Sequence, residues 1–324
     1  MDNSSNFTCK ICSNDKDNKI YIAREMMFGL RDKFVYFQCS SCNCLQIAEF
    51  PEDISKYYST ENYYSFKEVE EKKYQGLRGY LNSIIVGSNV LNDSFGSNLL
   101  RFVFPRKNKK FLNKVIKGYD TRILDVGCGN GYKFLYPLYE SGFHKIEGCD
   151  PFIEDDIYYQ NGLKIFKSES SEIEGEYDLI CFNHSFEHIS NPLETLERSY
   201  DLLSKGGYCI IRIPTSSSFA WKHYGENWFQ LDAPRHYFLH SIESIQYLAD
   251  QTNFKLEEPV FDSTHHQFTI SERYKRDKTI SERIYDSNWG RTYSIFQKAL
   301  FSIKSTTLNM QHNGDQAIFY LRKN

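Results

Sequence analysis

The chain has 324 residues, a net charge of −3 and 40% hydrophobic residues, which fits one large domain, or a main domain with a small appendage, around a real core. The mild acidity argues against a dedicated nucleic-acid binder with a basic face. No apolar run reaches the roughly 18–20 residues that span a bilayer, and the opening "MDNSSNFTCK" lacks a signal-peptide pattern, so a cytoplasmic protein is expected.

In chain order, residues 1–50 carry five of the nine cysteines. In a reducing compartment these read as thiols or metal ligands rather than disulfides. Cys9-Lys-Ile-Cys12 and Cys39-Ser-Ser-Cys42 are two C-x2-C knuckles separated by 26 residues. Four such thiolates suit tetrahedral Zn2+ in a closed structural ribbon with no open position for catalysis. Cys44 competes with Cys42 for the fourth place, and Cys42 is favoured. Residues 51–118, rich in Tyr, Lys, Asn and Ser, read as a helical lead-in or lid. The basic run "FPRKNKKFLNKVIKGYD" within them reads best as a solvated helix face.

From residue 119 strands alternate with helices. "RILDVG", "KIEGCD", "EYDLICFNHS" and "YCIIRIP" read as strands. "GYKFLYPLYESG" reads as a helix ending at Gly142, and "NPLETLERSYDLLSKGG" as an amphipathic helix with a glycine stop. "SIESIQYLADQTNF" reads as a helix capped by Ser241, with "KLEEPVFD" and "DQAIFYLRK" as the last strands. The alternation predicts an α/β, doubly wound, mostly parallel seven-stranded sheet over 119–324. The segment 262–314 is an insertion before the final strand. Its "NWGRTYSIFQKALFSIK" predicts a helix able to cover a pocket or join two copies in a homodimer.

The stretch "TRILDVGCGNGYKFL" sets Gly127, Gly129 and Gly131 on alternate positions straight after a strand. Such glycines let the chain turn tightly and bring backbone N–H groups close to a ligand at the carboxyl end of the sheet. The spacing is neither the G-x-G-x-x-G dinucleotide fingerprint nor a Walker loop. Asp125 precedes it, and Asp150 ends the next strand, where a carboxylate can accept both hydroxyls of a ribose. With "YDLICFNHSFEHI" and "LLSKGGYCIIRIP" following, residues 119–261 and 315–322 resemble a class I S-adenosylmethionine-dependent methyltransferase of Rossmann-like fold.

The resemblance implies S-adenosyl-L-methionine as cofactor. The glycine loop would cradle its methionine part, Asp125 would sit near its amino group and Asp150 would hold its ribose. Phe152 would flank the adenine, Ser168 and Glu169 in "KSESSE" would reach the adenine edge, and Asn183 and His184 would border cofactor and substrate. A hydroxyl acceptor needs a base near neutral pH, and histidine is the usual choice. The candidates are His184, His188, His223, His236 and His240. His188, in "FEHI", serves equally well as a structural tie.

"WKHYGENWFQLDAPRHYFLHSIESI" resembles a W…PRH…F-[ST]-x-x-S pattern of bacterial methyltransferases associated with surface polysaccharides. It nominates His236 as the base. Trp221, Trp228 and Tyr237 are then flat apolar surfaces for a sugar, and Arg235 a fork for an acidic acceptor or phosphate. Zinc-bearing N-terminal modules also precede the core in some deoxysugar C-methyltransferases, but those chains carry an extra C-terminal domain for which this one has no room.

The expected activity is therefore methyl transfer to a hydroxyl of a sugar, nucleotide-sugar or glycan intermediate, in polysaccharide biosynthesis. The alternatives are methylation of RNA or another small molecule, with the zinc module recognising the substrate, and a non-catalytic binding module. Cys128, Cys149, Cys181 and Cys209 read as small buried hydrophobes.

Overall fold

The computed structural model describes residues 7–58, 86–87, 90–91, 110–282 and 293–324. Most of the lead-in expected over 51–118 lies outside the described residues, as does part of the 262–314 insertion. The chain divides into two compact units. One comprises Met1–Ser59, Phe186–Leu193 and Arg212–Phe319; the other comprises Thr60–Ser185, Glu194–Ile211 and Tyr320–Asn324. The cysteine-bearing segment shares a unit with most of the chain after residue 211.

The reason is a shared sheet. In the first unit β1 (Lys19–Arg24), β2 (Lys33–Gln38), β3 (Leu45–Ile47) and β10 (Phe238–Leu239) form four neighbouring strands. β1 pairs antiparallel with β2 from Lys19↔Gln38 to Arg24↔Lys33, and β3 pairs antiparallel with β10 through Gln46↔Phe238. The turn between β1 and β2 is closed by Glu25, whose carboxylate accepts the N–H groups of Met27, Phe28 and Leu30 at 3.0, 2.8 and 2.9 Å. Behind this sheet lies a core of Tyr36, Leu45, Ala220, Trp228 and Phe268.

Three helices of this unit were legible in the sequence or follow local rules. α3 (Phe219–Tyr224) starts at Ser218, whose hydroxyl accepts from Trp221 N. α4 (Ile242–Gln251) has a full capping box, Ser241 with Ser244 as the third-position partner. α5 (Ile295–Met310) is capped the same way by Ser294 and Gln297.

In the second unit β4 (Ile123–Val126), β5 (Ile146–Cys149), β7 (Lys164–Phe166) and β8 (Tyr177–Asn183) run parallel in the order β8-β4-β5-β7, with the short β6 (Ile157–Tyr158) antiparallel at the edge. β9 (Leu203–Pro214) and β13 (Gln316–Arg322) extend the same ladder. With β11 (Lys255–Leu256) they give the order β11-β13-β9-β8-β4-β5-β7-β6, and β12 (Val260–Phe261) pairs with β13. This is a Rossmann-like, mostly parallel mixed sheet of nine strands. Seven strands were expected, of which six were quoted from the sequence; among the described residues the six become nine through β6, β7 and the splitting of "KLEEPVFD" into β11 and β12.

Two helices differ from expectation. α1 covers only Leu135–Tyr139, because the Gly131 carbonyl accepts from both Leu135 and Tyr136 and the residues before it belong to the loop. α2 (Pro192–Leu202) stops before its glycines. "LSKGG" is already strand, held by Gly206 N donating to Lys323 O and Lys323 N donating to Gly207 O.

Asp315, just before β13, is buried, and Trp228 Nε1 donates to it at 3.1 Å. Burial pushes its carboxyl up to about 6 despite that hydrogen bond. A carboxyl raised above its unfolded value of about 3.9 favours folding fully only below that value, and the contribution is lost as pH rises through about 6. The loss amounts to roughly 2–3 kcal/mol. Asp315→Asn, whose amide oxygen still accepts from Trp228, is expected to gain stability over the parent by that order at pH 7.5 and only about a third as much at pH 4.5, read from denaturant midpoints. An equal difference at both pH values would clear the buried carboxylate.

Candidate active site

The glycine loop of the second unit follows β4. Gly127, Gly129 and Gly131 have φ of +69°, +58° and +68°, backbone that disfavours any side chain. A Cβ on Gly127 would also lie 2.5 Å from Ser185 Cβ, and one on Gly131 2.5 Å from Ile165 Cδ1. Packing of the neighbouring strands therefore demands these glycines in its own right.

Nor are the loop amides open, as the sequence had suggested. Gly127 N and Cys128 N donate to Cys149 O, Gly131 N donates to Cys128 O, and Gly129 N donates to Asp150 Oδ2 at 2.7 Å. The loop's amides hold the loop and aim a carboxylate. Asp150 is 5% exposed, and its other oxygen accepts from Phe152 N at 2.9 Å. Burial raises its pKa, opposed by these two N–H groups. Each oxygen keeps a lone pair, which is what the two hydroxyls of a ribose need. Phe152 is 61% exposed beside it, with a flat ring of the kind a base stacks on. The cradle fits an adenosyl cofactor.

The remaining expected cofactor residues fall in the same unit. Asp125 is buried in β4, and Asn183 ends β8 partly exposed. His184 follows in left-handed backbone at φ +59°. Ser168 is partly exposed, and Glu169 is exposed with its N–H donating to the Glu172 side chain at 3.0 Å.

A second cluster lies wholly in the first unit. His236 Nδ1 is 2.8 Å from Gln230 O, and His188 Nδ1 is 2.8 Å from Arg235 O and 3.0 Å from the Tyr58 hydroxyl. A carbonyl only accepts, so both rings carry a proton on Nδ1, which leaves Nε2 as the ring atom that can gain or lose one. His236 Nε2 stands 3.9 Å from Glu187 Oε1 and 3.7 Å from Asp232 Oδ2. The two rings meet edge to face at 4.8 Å. Burial, and next the neighbouring His236, push the His188 pKa down to about 4, so that ring is neutral. An imidazole anchored through Nδ1, with Nε2 beside carboxylates, can take a proton from a hydroxyl at Nε2. Glu187 and Asp232 were not singled out from sequence. The i,i+4 spacing of Asp232 and His236, and the Glu-His pair in "FEHI", were the signals available.

Three expected substrate contacts are placed otherwise. Arg235 is fully buried. Its guanidinium donates to Asp232 through Nε at 2.9 Å and through Nη2, to Glu25 at 3.3 Å and to Tyr57 O at 3.0 Å. Burial opposes its charge, but Asp232 and Glu25 outweigh that and raise its pKa. It is a structural clamp rather than a fork for an acceptor. Trp228 and Trp221 are buried too, their indole N–H groups donating to Asp315 and to Gln38 at 3.1 and 3.2 Å, so neither offers a face to a sugar. Tyr237 remains partly exposed, against Phe50 at 4.7 Å. Of the other histidines, His240 is buried with Nδ1 3.2 Å from Ser244 Oγ, while His223 is exposed.

Cys9, Cys12, Cys39 and Cys42 bring their sulfurs together. Cys9 Sγ and Cys42 Sγ are 3.6 Å apart, Cys12 Sγ and Cys39 Sγ 3.5 Å. Four thiolates around one zinc lie about 3.8 Å apart. Backbone N–H groups of Ile11 and Ser41 point at Cys9 and Cys39 at 3.4 Å each, and Gln46 Nε2 donates to Cys9 at 3.0 Å. Cys44 is buried apart from this group, its Sγ directed at Leu45 O, which leaves Cys42 as the fourth donor.

A Rossmann-like sheet, a glycine bend at its carboxyl edge and a ribose-ready carboxylate on the next strand define an enzyme built around an adenosyl cofactor. A family model described as a methyltransferase domain matches residues 95–258, just over half of the chain, and the chain belongs to that family. Residues 95–258 are thus a methyltransferase domain. A curated relative, a tRNA U34 carboxymethyltransferase from Pseudomonas fluorescens, is 32% identical over 103 residues, covering 28% of this chain and 31% of that protein. The chain thus spans under a third of that relative's length. Solved structures that resemble it include S-adenosylmethionine-dependent methyltransferases from Archaeoglobus fulgidus (18% identity, TM-score 0.40, 78% of this chain and 97% of that one) and Thermotoga maritima (17%, 0.39, 76% and 94%). Likenesses of that size add nothing to the family assignment. Among the described residues no helix is long and apolar enough to cross a membrane.

Asp150→Ala is expected to weaken S-adenosylmethionine binding roughly 100- to 1,000-fold, the order set by two hydrogen bonds to a charged group. Titration calorimetry on the folded variant measures it. An unchanged affinity would take the ribose away from this carboxylate.

Proposed function

We propose that the protein transfers a methyl group from S-adenosylmethionine to a hydroxyl of a sugar, nucleotide-sugar or glycan intermediate, and that His236 Nε2 takes the hydroxyl proton. When bound, the cofactor supplies a methyl group on a sulfonium with a good neutral leaving group. The barrier then falls mainly through alignment of the two reactants. On the protein side, Asp150 grips the ribose, Phe152 flanks the base, and Asp232 and Glu187 stabilise the imidazolium that forms on His236. The observation that carries the reading is the fixed tautomer of His236, with its accepting nitrogen beside two carboxylates. The sugar class is supported by the "PRHYFLHS" resemblance, though not by the buried tryptophans. Four cysteine sulfurs at thiolate spacing further support a structural Zn2+ in the N-terminal segment, and a cytoplasmic setting agrees with reduced thiols.

A second reading, RNA as acceptor, is favoured by the partial match to the tRNA enzyme. The net charge of −3 speaks against it.

S-adenosylhomocysteine release separates the two. A panel of nucleotide-sugars is expected to support turnover and bulk tRNA is not; the reverse result would replace the first reading with the second. His236→Asn is expected to leave cofactor affinity intact and slow turnover at least 100-fold, and turnover equal to the parent would remove the base. Elemental analysis is expected to find zinc at no less than one equivalent per chain, one of them held by the cysteines. Cys39→Ser is expected to lose it and lower the thermal midpoint by about 5–10 °C; a metal-free parent of the same midpoint would refute the zinc.

A further inference from the structure

We propose that Glu187, His188 and His236 form a site for one divalent transition-metal ion, separate from the four cysteines. One donor atom from each residue lies within 4.8 Å of the other two. Two imidazoles and one carboxylate are a donor set suited to zinc, cobalt or iron(II).

The tautomers are those a metal requires. A ligating histidine commonly gives its other ring N–H to a carbonyl or carboxylate, which fixes the ring and leaves the metal-binding nitrogen bare. Here both rings do so, His188 to Arg235 O and His236 to Gln230 O, each at 2.8 Å. Two adjacent imidazoles oriented alike through their Nδ1 atoms, with His236 Nε2 near the fully buried carboxylate of Glu187 and a ring nitrogen of His188 in the same group, exceed what a single proton acceptor needs. Asp232, 3.7 Å from His236 Nε2 and held by Arg235, adds negative charge beside the site. His188 is partly exposed, which gives an ion a way in.

Donors sharing one tetrahedral ion at about 2.0–2.2 Å lie about 3.4 Å apart. His236 Nε2 and Glu187 Oε1, now 3.9 Å apart, would close by about half an ångström. An ion on Nε2 occupies the lone pair that the proposed base uses, so metal and proton compete for His236. The metal site rests on the unit's own geometry and not on the methyl-transfer reading, and its test does not use turnover.

The full-length chain, its cysteine site already filled with zinc, is titrated with Co2+ alone. The expected result is one further equivalent with d–d absorption and no thiolate-to-metal charge transfer, lost in both His188→Gln and Glu187→Gln. In the wild-type chain the bound Co2+ is expected to shift two exchangeable imidazole N–H protons in the NMR spectrum, one from each Nδ1–H. This measurement decides the question even where a variant fails to fold. No further equivalent, an equivalent retained by both folded variants, or fewer than two shifted N–H protons would overturn the site.

Discussion

The buried guanidinium of Arg235 is the constraint on which the first unit depends. It lies among Glu25, Asp232 and the Tyr57 carbonyl with no exposure to water. An ion triad of this kind contributes little net stability against an apolar replacement, yet removing one partner costs about 3–5 kcal/mol because a charge is stranded. Its effect is to fix geometry. Glu25 shapes the turn after β1, and Asp232 opens the turn that ends at His236. One side chain thereby ties a loop of the N-terminal segment to the turn that orients the histidine cluster, and Tyr36 adds a second tie by donating to the His236 carbonyl at 2.8 Å.

In the second unit the corresponding constraint is the pairing of the glycine bend with Asp150. The bend's amides are spent inside the protein, so binding specificity rests on side chains that the bend positions and less on naked backbone. A carboxylate held by Gly129 N and Phe152 N is already oriented before a ribose arrives. Little ordering is then left to oppose binding at that point.

This division explains which parts of the molecule were legible in the sequence. The parallel core was readable because β4, β5 and β8 are apolar runs broken by glycine and acid at fixed places, and Asp150 stood at a strand end where its chemistry is plain. α4 was readable because Ser241 and Ser244 make a local cap. The pairing of β3 with β10 was not readable, since it joins Leu45 to Leu239 across nearly two hundred residues and no local pattern encodes it. The same long-range closure misled the reading of Arg235, Trp221 and Trp228. Large polar-tipped side chains in a loop-rich stretch look like substrate contacts until Glu25, Gln38 and Asp315 are seen to satisfy them. Glu187 and Asp232 were given no role for the converse reason, because their meaning depends on where His236 points.

The cysteine knuckles acquire a function from the same network. A four-thiolate site is closed and has no position for a reactant. Its surroundings, however, are joined by hydrogen bonds to the helical half of the unit. Ser241 Oγ, which caps α4, donates to the Cys42 carbonyl, and Ser216 Oγ donates to the Asn43 carbonyl at 2.9 Å. From the second knuckle the chain enters β3, which lies beside β10, and β10 begins two residues after His236. A metal at the cysteines would therefore act on chemistry only by holding this sheet in register, and with it the turn from Asp232 to His236. On that argument the N-terminal segment is part of the scaffold of the histidine cluster, and a substrate-reading role is not needed to explain why it is there.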